Sequence, residues 1–341
     1  MKKKKILLSL AIALLIVSFS LTSVNAQSIR VSHEMSPDPD VPAHAFFMVL
    51  EYVMESNTDI EVEIYPDNVL GGMQEIIEQV QDGDIHIAQV SEGGLSGYYK
   101  NALMFNQEYF YPDDERIYNI MWTSSSKFMD QVYEDIREEA NVQTLGLFRR
   151  GGQAVIANSR RPIRNLEDME GLTMRGMDEA QVVFWESLGA DGVVIPWEEV
   201  YTSLQTGVAE GVQLPVSLLL DASLDEVLDY ATFPGFRPGS GIVIANPEWY
   251  DNLSENELDV LEYAVELATW TAHGISYRDM AQEIELLEEA GMEVYHQTEE
   301  EFEAFREATL DGMMPWAYEE FGEDWVDGFL EEIDRLTEEI N

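Results

Sequence analysis

Apolar and polar positions alternate strictly through Ile60-Glu61-Val62-Glu63-Ile64-Tyr65, which is the period of a half-buried strand. Ile29–His33 reads as an earlier strand, with Ile29 and Val31 on one face. Between them, the prolines of 36–42 exclude helix and central strand, and 43–54 has helical spacing. Gly71-Gly72 then opens a helix over 73–81, and a third strand over 85–90 ends at Ser91-Glu92-Gly93-Gly94. Helical and mixed segments follow as far as Asn141. Strands are expected at 142–148 and 154–157, the second beginning another lobe.

A strand–helix–strand–helix–strand run comes next. Leu172–Arg175 is a short strand, 182–188 is a helix stopped by Gly189, and Val193–Ile195 is an apolar strand closed by Pro196 and Trp197. A helix over 198–206 ends at Gly207, and 208–215 carries a strand through Gln213. Gly241–Ala245 is a return strand. Ser254 with Glu257 forms a capping box for a helix that runs to Ala290 before Gly291. That helix is roughly 35 residues, about 50 Å at ~1.5 Å per residue, so it spans more than one lobe. A last strand at 292–295 precedes helical, acidic sequence over 299–339, anchored by Trp316, Phe321 and Trp325. Strands alternating with helices predict an α/β architecture. The interruption of one lobe by the other predicts a hinged clamp, with lobe I at 27–150 plus 240–282 and lobe II at 151–239 plus 283–341.

Composition places this clamp outside the cytoplasm. Lys2–Lys5, an apolar run from Ile6 to Val17 broken only by Ser9, and Val24-Asn25-Ala26 have the order of a signal peptide cleaved after Ala26. That run is short of the ~20 apolar residues of a membrane span. Losing residues 1–26 removes four lysines and no acid, which moves the net charge from −47 to −51. Self-repulsion of this size opposes compaction. Salt near ~1 M relieves it by shortening the Debye length to ~3 Å, so the surface fits a salt-adapted organism. An acidic surface for cationic partners is the alternative reading. Nucleic acid is excluded as a partner for want of a basic patch. The chain has no cysteine, so disulfides, thiolate chemistry and a lipidated N-terminal cysteine are excluded. An untethered exported protein is retained by an outer envelope, which favours the periplasm.

The residues that carry chemistry suit binding better than catalysis. The five histidines, His33 among them, lack metal-ligand spacing, and no metal or cofactor is expected. No nucleophile elbow, Walker loop or dinucleotide fingerprint is present. With 66 acidic residues, no acid pair singles itself out, so a secreted hydrolase stays open without support. Ligands of open α/β sheets sit beyond the carboxyl ends of strands. Arg175, Trp197 and Gln213 fall at such ends, and a guanidinium matches a carboxylate bidentately. The alternative for Arg175 is an ion pair with one of the chain's own acids. Trp197, Phe236 and Trp122 are candidate apolar walls, with Ser91, Glu92, Arg175 and Gln213 as polar contacts. The alternative for each aromatic is plain core.

Several stretches, taken in order, resemble the extracytoplasmic solute receptors of TRAP transporters, the DctP-type family. They are Tyr65-Pro66-Asp67-Asn68-Val69-Leu70-Gly71-Gly72, Val80-Gln81-Asp82-Gly83-Asp84-Ile85-His86-Ile87-Ala88, Asn158-Ser159-Arg160-Arg161-Pro162-Ile163, the run from Asn165 to Arg175, and the run from Glu199 to Gly211. The resemblance implies a two-lobe periplasmic binding protein fold with hinge strands and one long helix across both lobes. It also implies capture of a small organic acid and delivery to membrane permease subunits, by a protein expected to be a monomer. Arg175 matches the family's carboxylate clamp, Trp197 its aromatic under the ligand, Ser91 and Glu92 the first-lobe strand end, and Phe236 a hinge position; His33 joins them as a candidate contact at its strand end. The family's frequent second arginine is replaced within Gly151-Gly152-Gln153-Ala154, where Gln153 becomes the candidate contact and Arg149 or Arg150 a substitute cation. Leu214 stands where an asparagine is frequent. These losses argue against a C4-dicarboxylate or a sialic-acid-like ligand. They leave a monocarboxylate, or a zwitterionic or cationic solute facing Glu92 and the aromatics.

Overall fold

A strand of 16 residues, β4 (Gln143–Asn158), runs through both lobes and organises the sheet topology. The computed structural model describes residues 27–340 except 108, 113–116, 118–119, 123–125 and 235–237. The expected leader at 1–26 and the candidate Phe236 therefore lie outside the described residues.

On one side of the crossing, the strand order is β2 (Ile60–Tyr65), β1 (Gln27–Ser32), β3 (Ile87–Val90), β9 (Pro238–Ala245) and β4. The first three are parallel, and β9 is antiparallel to β3 and β4. On the other side, β4 runs antiparallel to β7 (Gly211–Pro215). Beyond β7 lie β5 (Thr173–Gly176) and the edge strand β6 (Asp191–Val194), parallel to each other. β4 also pairs β8 (Tyr230–Phe233), which pairs β10 (Glu293–His296). The change of partner falls inside β4: Arg149 pairs with Ser240, and Ala154 with Pro215.

In the first lobe, α1 (Pro42–Asn57) buries Phe46, Phe47 and Leu50 against Ile29 and Val31 of β1. Each fully buried phenylalanine contributes roughly 1.5–3 kcal/mol. The other face carries α2 (Met73–Asp82) and, beyond the short α3 (Glu92–Leu95), α4 (Lys127–Ala140). In the second lobe, α5 (Glu179–Ser187) follows β5, α6 (Val200–Thr206) follows β6, and α7 (Val216–Asp221) follows β7. After β9 and α8 (Pro247–Asp251), α9 (Glu255–Glu289) is a single helix of 35 residues begun by the Ser254–Glu257 capping box. It packs Leu261, Ala264 and Ala268 in the α1 core, and Leu287 in the core of β7 and β8. It therefore spans both lobes, as its length predicts.

The acidic C-terminal sequence forms two helices, α10 (Glu299–Phe321) and α11 (Glu323–Ile340). Gly322 separates them at φ 86°, which a side chain would resist. Helix α10 packs along α5 through Phe305 and Met313 near Phe184 and Trp185. Phe329 of α11 meets Phe105 and Tyr111 edge-on, so the last helix touches first-lobe elements. Two lobes of α/β type, β4 and β9 crossing between them and one helix spanning both agree with the expected architecture. Among the described residues, no helix is long and apolar enough to cross a membrane.

Candidate ligand-binding site

Arg175 stands near the carboxyl end of β5, between β6 and β7, and is only 5% exposed. Its Nε donates to the carbonyl of Ile195 at 3.0 Å, and its own carbonyl accepts from Trp185 Nε1 at 2.9 Å. Backbone and guanidinium root are thus held from two sides. No carboxylate among the described residues is within ion-pairing distance of Arg175. Burial lowers its pKa and the nearby Asp178 opposes that shift. A cation held this way out of water gains from an anionic ligand.

Helix α5 serves a second donor. Its N-cap, Asp178, accepts from Gln181 N at 2.9 Å, and Gln181 Oε1 accepts from Met177 N at 2.8 Å. That fixes the Gln181 amide, whose Nε2 donates to Gln213 Oε1 at 3.1 Å. Gln213 is buried in β7, and its Nε2 has no hydrogen-bond partner. A buried, unpartnered amide N–H is costly, by roughly 1–3 kcal/mol, unless a ligand accepts from it. Trp197, in the turn after β6, is 40% exposed, and Met177, just beyond β5, is exposed too. Apolar surface therefore flanks the strand ends that carry the donors.

The first lobe contributes acids. Ser91 caps α3 by accepting from Gly94 N at 3.1 Å, which commits its hydroxyl to the turn. Glu92 is buried and accepts from Ser240 Oγ of β9. Beyond β1, Glu34 pairs with Arg150 and approaches Gln89 Nε2 at 3.5 Å. A methyl group at Gly241 would stand 2.9 Å from Gln89 Cγ, 3.0 Å from Phe148 Cζ and 3.1 Å from Arg150 Cγ, so only glycine lets these side chains converge. The two adjacent arginines have different surroundings. Arg149 is fully buried with its guanidinium 5.0 Å from the Tyr277 ring of α9, whereas Arg150 meets Glu34 at the strand ends.

Among the other candidates, Gln153 lies in the crossing segment of β4, where its backbone pairs with Pro238. His33 follows β1 and is buried, stacked on Phe47 at 5.4 Å and sharing a 3.0 Å hydrogen bond with His44. Burial, then His44, lowers its pKa to about 4. Trp122 is buried, with its ring 4.7 Å from that of Phe105. Gln181 and Trp185 are absent from the sequence reading. Their signals are the Asp178-to-Gln181 spacing of a capped helix start and the four-residue interval that sets both on one face. Ser240, Gln89 and Glu34 carry no such signal, because only the sheet order brings them together. Among the described residues, no group of three His, Asp or Glu is placed to hold a metal ion. Donors on one wall and carboxylates on the other suit a small solute with a carboxylate at one end.

Known proteins agree with this architecture. The model of a family described as bacterial extracellular solute-binding protein, family 7 (DctP), matches residues 32–313. The ectoine/5-hydroxyectoine-binding periplasmic protein UehA of Ruegeria pomeroyi is 26% identical over 311 residues, 86% of this chain and 90% of that one. The ectoine-binding periplasmic protein TeaA of Halomonas elongata is 27% identical over 271 residues, 79% and 77% of the two chains. In fold, the chain matches a TRAP periplasmic solute binding protein from Ochrobactrum anthropi with a TM-score of 0.82 at 23% identity, covering 92% of this chain and 96% of that one.

Proposed function

Since the chain belongs to the bacterial extracellular solute-binding proteins of family 7, the DctP family, we propose that it captures a small monocarboxylate, zwitterionic in charge, for a TRAP permease. The observation that carries this reading is Arg175, buried on a strand end without a carboxylate partner among the described residues. The ligand carboxylate takes the guanidinium and the open N–H of Gln213. Its cationic end faces Glu92 across the cleft, with Trp197 closing over the apolar part. The Arg150–Glu34 pair already neutralises the second cation at the site, which favours one carboxylate over two. Two relatives, the ectoine-binding proteins UehA and TeaA, support a zwitterionic monocarboxylate.

Closure follows from differential contact. Arg175 and Gln213 belong to one lobe and Glu92 to the other, so only a closed form touches both ends of the ligand. The mature receptor begins after Ala26, is exported to the periplasm and passes its cargo to membrane subunits.

The test is calorimetric titration in molar salt against ectoine, simple monocarboxylates and C4-dicarboxylates. Saturable binding of ectoine or a monocarboxylate that is lost in Arg175→Ala supports the reading. Selective binding of dicarboxylates, or binding untouched by that substitution, overturns it. N-terminal sequencing of the exported protein checks the cleavage site.

A further inference from the structure

The first-lobe half of β4 has a strand on one edge only. Residues 143–149 pair with β9, whereas β7 and β8 join β4 beyond Gln153. Along this half, between α9 and α4, lies a cavity of about 860 Å³. Small-molecule pockets run to roughly 300–1,000 Å³. The backbone shapes it. The register of β4 on β9 shifts between Thr144 and Gly146, an extra residue that bends the strand. Gly146 lets α9 approach, since a methyl group there would stand 3.3 Å from Val265 Cγ1. The cavity is separate from the ligand cleft. Arg150, which meets Glu34 at the strand ends, lies four residues beyond Gly146, about 13 Å at ~3.3 Å per residue. None of Arg175, Gln213, Glu92 and Trp197 lines it.

The lining carries one sign of charge. Trp122, Tyr133, Tyr250, Trp270 and Tyr277 supply rings, and Asp130, Glu262 and Glu266 supply carboxylates at exposed positions. Among the described residues, no lysine or arginine lines it. Glu262, Glu266 and Trp270 follow at intervals of four on one face of α9, so the two acids repel and an indole stands one turn on. Burial, then the charge of Glu262, raises the Tyr250 pKa, so the field of these acids reaches the rings. At the far end, the Arg149 guanidinium already sits 5.0 Å from the Tyr277 ring. A cation in the cavity therefore belongs near Glu262 and Glu266. Two polar atoms buried on the wall, Trp122 Nε1 and Thr144 Oγ1, have no hydrogen-bond partner among the described residues. Trp122 is only 3% exposed.

We propose that this cavity is a second ligand site, for an amphipathic organic ammonium ion with a hydroxyl or carbonyl on its apolar body. The ammonium head lies among Glu262, Glu266 and Asp130, beside the Trp270 indole, where carboxylates and a ring face both attract it. The body enters the apolar space among the rings and covers Trp270, which is 67% exposed without it. Its polar atom pairs with Trp122 Nε1 or Thr144 Oγ1, groups that are costly to bury without a partner. A cleft lined by one sign of charge also concentrates its counter-ion. Salt screens the exposed carboxylates and leaves the burial of the apolar body untouched, so affinity falls with salt without vanishing. The site neither uses nor requires the carboxylate cleft.

Titration calorimetry on the mature protein tests this, with tyramine as the probe and tyrosol as its neutral analogue. Tyrosol has a hydroxyl where tyramine has an ammonium. Saturable binding of one tyramine per chain is expected, about tenfold tighter than tyrosol, because the carboxylates and the indole act on the charge. Glu262→Gln with Glu266→Gln, both at exposed positions, should abolish that preference. Trp270→Ala should weaken tyramine by a similar factor. Circular dichroism separates loss of the site from loss of the fold. Arg175→Ala should leave tyramine binding intact, which distinguishes this cavity from the cleft. Absence of tyramine binding overturns the proposal, as do equal affinities for tyramine and tyrosol. Tyramine binding that survives both cavity variants, or that is lost in Arg175→Ala, overturns it too.

Discussion

Trp185 Nε1 donates a 2.9 Å hydrogen bond to the carbonyl of Arg175. The indole is fully buried between α5 and α10, so the backbone of the candidate clamp is tied to the second-lobe core. Trp185→Phe keeps most of the volume and orphans that carbonyl, at a cost of about 1–3 kcal/mol. A melting temperature lower by several degrees and a weaker ligand Kd are expected together. Calorimetry that shows a stability loss with unchanged Kd would separate the core role from the positioning role.

Arg175 itself is tested by charge and by shape. Arg175→Ala should weaken carboxylate binding by about 3–5 kcal/mol, the range found when one partner of a buried pair is removed. That is two to four orders of magnitude in Kd. Arg175→Lys retains the charge without the planar fork and should recover only part of the loss. Titration calorimetry reads both.

Gln213→Glu keeps an acceptor for Gln181 and replaces the unpartnered N–H with a carboxylate. At neutral pH it should repel the ligand carboxylate and raise Kd at least tenfold. Affinity should recover as the pH falls and the introduced carboxylate takes up a proton. A Kd independent of pH in this variant would remove Gln213 from the site.

The pH dependence of folding has a separate source. Burial lowers the His33 pKa from 6.5 to about 4. The unfolded chain therefore binds a proton that the folded chain refuses between those values. Stability from this group is complete above pH 6.5 and is lost as the pH falls towards 4, by about 3 kcal/mol in all. His33→Phe should flatten that part of the pH–stability curve, as chemical denaturation at pH 7 and pH 4.5 would reveal.

Gly241 is expected to tolerate no side chain. Gly241→Ala sets a methyl group 2.9 Å from Gln89 Cγ and 3.0 Å from Phe148 Cζ. Overpacking of this kind costs about 1–3 kcal/mol, which differential scanning calorimetry would register as a lower melting temperature.

Much of this was legible in the chain. The alternation at 60–65 gave β2 residue for residue, and the Ser254–Glu257 cap with Gly291 bounded α9 to within two residues. The placement of Arg175 at the end of a short strand was legible, and the structure puts it in β5. Other features depend on tertiary partners. Gly151-Gly152 reads as a break between two strands, but antiparallel partners on either side carry β4 through it. Val193–Ile195 reads as a fully apolar strand, but β6 is the sheet edge and Val194 is exposed. β8 carries too short a pattern to stand out before Pro234, and β10 and β4 define it. Neither Arg149 nor Arg150 announces its direction. Tyr277 and Glu34, 128 and 116 positions away, set their different environments.

The continuity of β4 has an evolutionary consequence. Residues 150–153 lie between the pairing of Arg149 with Ser240 and that of Ala154 with Pro215, where the two lobes pivot and where Arg150 meets the first-lobe acids. Under the proposed function, ligand choice and the connection between the lobes draw on the same short segment. A lineage that acquires a new cargo by substitution there also resets how much of its receptor population rests shut. Diversification of cargo in this lineage should accordingly favour the flanking positions on β5 and β7, where a side chain can change without touching the pivot.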